Sequence, residues 1–133
     1  MKTYEMNVLA LAYLGDSIYE VFIRRYLIEK GIVKVKDLQA AAVSYVSAKG
    51  QAKIIKEWLD ENLLIEKEMD IVLRARNHKG SRHPKNTDIL TYKHATAFEA
   101  LIGYWYLENN FERLNEMMDR ILGEKICTYM EKM

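Results

Sequence analysis

Asp16 and Glu20 are two acids one helical turn apart in the mostly apolar segment 9–23. If Leu11, Leu14, Ile18 and Phe22 form the main buried stripe of a helix, then at ~100° per residue both acids fall on the far side with Leu9, Ala12, Tyr13 and Ile23. Like charges at this spacing repel, more strongly once water is excluded, and a cation nearby would relieve them. A third acid, Glu99, stands in the run Ala97-Phe98-Glu99-Ala100-Leu101-Ile102-Gly103, with neither Lys nor Arg between positions 95 and 110. Its own helical face carries Tyr92, Thr96 and Gly103, small and polar enough to leave room for an ion and its waters. Carboxylate oxygens in such a setting suit Mg²⁺, which keeps several waters and takes one or two carboxylates together with substrate phosphates. An acid in an apolar helix also serves simply as an edge residue or as the partner of a distant base, so periodicity alone does not define a site.

The second chemical feature is a basic segment. Between positions 74 and 94, Arg74, Arg76, Lys79, Arg82, Lys85 and Lys93 face one acid, Asp88, although the whole chain has a net charge of only +1. One basic segment on an otherwise acidic body suits a protein that touches phosphates at one place, and a solvated turn is the plainer reading of the same residues. Gly80, Ser81, the only proline, Pro84, and Asn86 make 77–88 a loop. His78, His83 and His94 lack the spacing and the cysteine partners of a metal cluster, and the run Tyr104-Trp105-Tyr106 reads as packing.

The elements that must position these residues are all helical. Apolar residues at three- and four-residue steps predict helices over 7–30, capped by Asn7 and ended by Gly31, over 36–46, from Ser47 to about 62, and over 66–76. Two more follow over 90–108 and from 111 to about 130, and no segment alternates as a strand would. The fold class is therefore all-α. A length of 133 residues suits one domain with a real core, and 50% hydrophobic with 29% charged residues describes a folded chain. The single Cys127 excludes an internal disulfide framework and points to a reducing cytoplasm. Neither a signal peptide nor a membrane span is expected, because charges interrupt each apolar stretch.

The two acid-bearing segments carry a resemblance. Leu11-Ala12-Tyr13-Leu14-Gly15-Asp16-Ser17-Ile18 resembles the ribonuclease III signature L-E-F-L-G-D-[AS]-hydrophobic, and Thr96 through Gly103 resembles its second signature, D-A-F-E-A-L-I-G. Val46-Ser47-Ala48-Lys49 through Ile54 looks like the valine-serine segment that opens a helix between them. The short chain, without a following double-stranded-RNA-binding domain, and the continuation Tyr19-Glu20 point to the Mini-ribonuclease III branch. Two of the four signature acids are replaced, by Ala12 and Thr96, as in that branch, which leaves Asp16 and Glu99 as the metal ligands and catalytic residues carried over. Glu20 is a candidate to compensate.

The resemblance implies hydrolysis of double-stranded RNA with Mg²⁺, maturation of precursor 23S ribosomal RNA, and a symmetric homodimer in which Tyr13 enters the partner subunit. Arg74, Arg76, Lys79, Arg82 and Lys85 are the candidate phosphate contacts. The alternatives are a catalytically silent RNA-binding or ribonucleoprotein relative, to which the replaced acids at 12 and 96 lend weak support, and a helical protein-interaction module.

Overall fold

The computed structural model describes residues 2–78 and 88–123, so the candidate phosphate contacts Lys79, Arg82 and Lys85 lie outside the described residues, as do His83 and Cys127. A short 3₁₀ turn, Thr3–Glu5, precedes six α-helices: α1 Val8–Glu29, α2 Val35–Val46, α3 Ala48–Asp60, α4 Glu66–Arg76, α5 Ile89–Leu107 and α6 Phe111–Leu122. No strand occurs among the described residues. No helix there is long and apolar enough to cross a membrane.

The helix ends follow local chemistry. The Asn7 side chain accepts from the Leu9 N–H at 2.8 Å, and the Ser47 hydroxyl accepts from the Gly50 N–H at 3.1 Å, so both caps act where the sequence places them. Gly31 turns the chain after α1 at φ 98°, a conformation that costs glycine little. Asp88 caps α5 by accepting from both the N–H and the hydroxyl of Thr91, at 2.9 and 2.7 Å. The periodicity carries α6 on to about 130; positions 124–130 lie outside the described residues, and the described helix ends at Leu122. There Gly123 takes the left-handed conformation, φ 71°, and donates to the Asp119 carbonyl at 2.8 Å.

α5 is the central element, with α1, α3, α4 and α6 packed about it. From His94 to Trp105 every residue but Glu99 is buried, as befits a helix that is apolar nearly all round. Phe98 is locked by Tyr19, edge-on at 4.7 Å between ring centroids, and by Trp58 at 5.4 Å. The junction of α4, α5 and α6 is closed by a polar knot. The buried Glu68 carboxylate accepts from Trp105 Nε1 at 2.8 Å, from Arg113 at 2.8 and 3.0 Å, and from the Ile65 N–H at 3.0 Å. Every one of these groups would be costly to bury alone, and together they are satisfied.

The approach of α1 to α5 sets the geometry. A Cβ added at Gly15 would overlap the Glu99 carbonyl oxygen, and one added at Gly103 would overlap the Leu11 carbonyl oxygen. The two helices therefore meet backbone to backbone, closer than any side chain permits. Gly15→Ala should force them apart and cost at least about 2 kcal/mol, at the upper part of the range for overpacking. Urea unfolding measures this; a midpoint equal to that of the parent protein would show that the helices do not touch there.

Candidate active site

Asp16 follows Gly15 directly on α1, and Glu99 is the residue whose carbonyl Gly15 meets, so the contact delivers the two carboxylates to one place from helices about 80 residues apart in sequence. Asp16 is exposed, whereas Glu99 is partly buried. Burial first, then a hydrogen bond with Asp16 and the Asp16 charge, push the Glu99 carboxyl up to about 8, with the Gln51 amide opposing the rise and Glu20 adding a small push upward. The groups acting most strongly on Glu99 are thus acids and an amide. Glu20 stands within electrostatic reach of the pair but is already bonded to Arg24 at 3.0 Å.

Where the signatures have further acids, this chain has the buried Ala12 and the buried Thr96, whose hydroxyl donates to the Tyr92 carbonyl at 3.0 Å. Among the described residues no three His, Cys, Asp or Glu side chains form a metal-holding group. His94 is buried with Nδ1 2.9 Å from the Leu90 carbonyl oxygen, a position within its own helix.

Ile23 and Ala12, which the helical wheel puts on the same side of α1 as Tyr13, are buried inside the domain, whereas Leu9 is half-buried. Tyr13 itself is 83% exposed. Arg74, grouped by sequence with the phosphate contacts, holds down the N-terminal segment: it donates to the carbonyls of Tyr4 and Met6 at 2.6 and 2.7 Å and lies 3.7 Å from Asp70. Arg76, partly exposed at the end of α4, remains beside the basic segment.

Sequence reasoning also missed two features. Lys49, Lys53 and Lys56 form an exposed ladder on α3, around a shallow depression shared with Glu57, Asp60 and Thr91. Hydrogen bonds from Thr91 chiefly lower the Asp88 carboxyl, and Lys56 lies close enough to add a small push in the same direction, so the ladder stands near Asp88. Their spacing of four and three residues was the available signal. The other is Gln51, buried at 2% exposure, which looked like an ordinary helix residue.

The raised Glu99 value has a consequence for stability in the absence of metal. An unfolded glutamate ionises near its ordinary 4.5, whereas the folded one holds its proton to about 8, so the native state binds the extra proton between these values. The contribution is complete below 4.5, declines as pH rises from 4.5 to 8, and is gone above. In EDTA, the melting temperature of Glu99→Gln should therefore gain on the parent protein between pH 5 and pH 8. Parallel profiles for the two proteins would show that Glu99 ionises without strain.

A family model described as the Ribonuclease III domain matches residues 9–110. The chain is 47% identical over 124 residues to the Mini-ribonuclease 3 of Desulfitobacterium hafniense, covering 91% of this chain and 77% of that protein. It is 44% identical over 113 residues to the Mini-ribonuclease 3 of Streptococcus pneumoniae, covering 85% and 88%. A crystal structure of a Fusobacterium nucleatum protein superposes with a TM-score of 0.81 at 32% identity, covering 90% of this chain and 95% of that one. Both signatures fall inside the matched region, and the chain belongs to the ribonuclease III family, in its Mini-ribonuclease III branch.

Proposed function

We propose that the chain is a Mg²⁺-dependent endoribonuclease that cuts double-stranded RNA as a symmetric homodimer, in the bacterial cytoplasm, with precursor 23S ribosomal RNA as its substrate. Family membership supports a ribonuclease. The observation that carries the finer reading is the Asp16–Glu99 pair, two carboxylates held together by a backbone contact, with one further acid, Glu20, and an amide rather than a base acting on Glu99.

Such a pair fits a hard divalent cation, and Asp16 and Glu99 are the residues that would hold it. Bound there, Mg²⁺ supplies charge to the scissile phosphate and acidifies a water for attack. The protein's own contribution is placement. Asp16 presents its carboxylate to solvent, where a phosphate approaches, and Glu99 is fixed from behind by the locking of Phe98 between Tyr19 and Trp58. The buried Ala12 and Thr96 narrow the site to these two charges.

An RNA duplex is read largely through its shape, 2′-hydroxyls and phosphates, and it has two strands to cut. Two copies of the site related by a two-fold axis match that substrate, and Tyr13, a large side chain left in solvent on the helix that carries Asp16, is the residue to be covered by a second copy. Phosphate contacts fall to Arg76, to Lys79, Arg82 and Lys85 after it in sequence, and to the lysine ladder of α3.

Cleavage of a labelled RNA duplex with and without Mg²⁺ tests the activity. Asp16→Asn and Glu99→Gln should each lose cleavage by orders of magnitude while remaining folded and still binding duplex. Near-parent turnover by both would sink the mechanism, and duplex binding without cutting by the parent protein would identify a silent relative. For the dimer, Tyr13→Asp should place an unpaired charge in the interface at a cost of several kcal/mol and yield monomers in sedimentation. An unaltered dimer in that variant, or a monomeric parent protein at micromolar concentration, would remove Tyr13 from the assembly.

A further inference from the structure

The exposed face of α3 carries its charges in the order a helix least favours. Lys49 stands in the first turn, where the helix dipole is positive, and Glu57 and Asp60 stand in the last, where it is negative. Lys53 and Lys56 each precede an acid by four residues, the poorer order for a helical pair, and among the described residues no ion pair joins them. The three lysines line one shallow depression together with the buried Ala52 and with Thr91 of α5. Positive charge is thus kept in solvent at some cost to the helix that carries it.

Neighbouring contacts fix where this face lies. Tyr19, three residues after Asp16, donates its hydroxyl to the Tyr45 carbonyl at 2.9 Å, and its ring meets that of Phe98, the residue before Glu99, at 4.7 Å. Beside Tyr45, the Ser44 carbonyl meets Gly50 where a Cβ would overlap it. The start of α3 is therefore fastened close to the segments that carry the two carboxylates. From there the lysines run alongside Thr91, which precedes Glu99 on α5 by two turns, about 12 Å of helix.

We propose that the lysine face of α3 carries one strand of the RNA duplex on one side of its own cut, so that the substrate must run on past the cleaved bond in that direction. The inference rests on the duplex reading given under Proposed function and adds where along the substrate these lysines act. From Lys49 to Lys56 the helix rises about 10 Å, a length comparable to roughly three phosphate steps of a duplex strand. A lysine ammonium is a point charge on a flexible stem, suited to meeting phosphates without reading bases, and duplex RNA is recognised largely through its backbone. An interface for another protein is depleted of lysine and has large apolar residues at its centre, whereas the residue between these lysines is Ala52.

The first measurement is binding of a labelled RNA duplex in EDTA, across a series of salt concentrations. It compares the parent protein, the triple variant Lys49→Ala/Lys53→Ala/Lys56→Ala, the same triple to arginine, and a control, Lys34→Ala/Lys36→Ala, that removes charge from the start of α2. The alanine triple should bind at least about tenfold more weakly, with a log-log salt slope flatter by about 2, while arginine restores binding and the control resembles the parent. Without RNA the alanine triple should melt no lower than the parent, because it takes a cation away from the positive end of α3. The second measurement follows the cut in each strand separately, in Mg²⁺, as one arm of the duplex is shortened step by step. In the parent protein, shortening should slow the cut in one strand well before the other; in the alanine triple the two strands should respond alike. Parent-like binding by the alanine triple, an equal loss in the control, or an equal response of both strands in the parent would overturn the role of α3 alone. A parent protein that neither binds nor cuts the duplex would overturn the reading on which that role rests.

Discussion

The close crossing of α1 and α5 is the constraint on which the rest depends. Helices with ordinary side chains at their contact stand 8–10 Å apart, a separation set by those side chains. Here glycines at both contact points, Gly15 and Gly103, let each helix receive a carbonyl oxygen of the other. The arrangement buries the small residues around it, Ala12, Ala97 and Ala100, and brings the next residue on one helix to the acid on the other. A site built on two touching backbones is positioned more tightly than one built on loops.

Two glutamates on this scaffold lead opposite lives. Glu68 is buried and receives an indole N–H, a guanidinium and a backbone N–H, a complete set of donors that ties three helices together. Glu99 is partly buried and has an aspartate for its neighbour. The same fold thus satisfies one buried acid internally and leaves another with its own kind, which is the pattern of local instability retained at functional positions. The difference lies in which bases are at hand: Arg113 reaches Glu68, and the corresponding stretch of α5 around Glu99 has none.

Much of this was legible in the sequence because it depends on local chemistry. Asn7 and Ser47 cap the helices they precede, Gly31 ends the first, and the period of apolar residues marks all six helices. The pair Asp16 and Glu99 was legible through its two signatures. What escaped depends on contacts between distant segments. Nothing local says that Arg74 bonds the carbonyls of Tyr4 and Met6, that Ile23 faces inward rather than outward, or that Gln51 is buried with an unmet oxygen. At the end of α6 the apolar period runs on past Gly123, while the left-handed glycine stops the helix at Leu122.

The crossing also bears on when the protein becomes itself during synthesis. Its two halves lie far apart in the chain, so the loop closed by the contact spans more than half of the sequence, and such distant pairings form late, after their loop entropy is lost. A nascent chain on the ribosome can make α1, α2, α3 and α4 and still have only half of the carboxylate pair. The acid on α5 arrives with the central helix about which everything else packs. Packing about α5 and completion of the carboxylate pair are therefore one event, and a chain that ends before α5 carries neither.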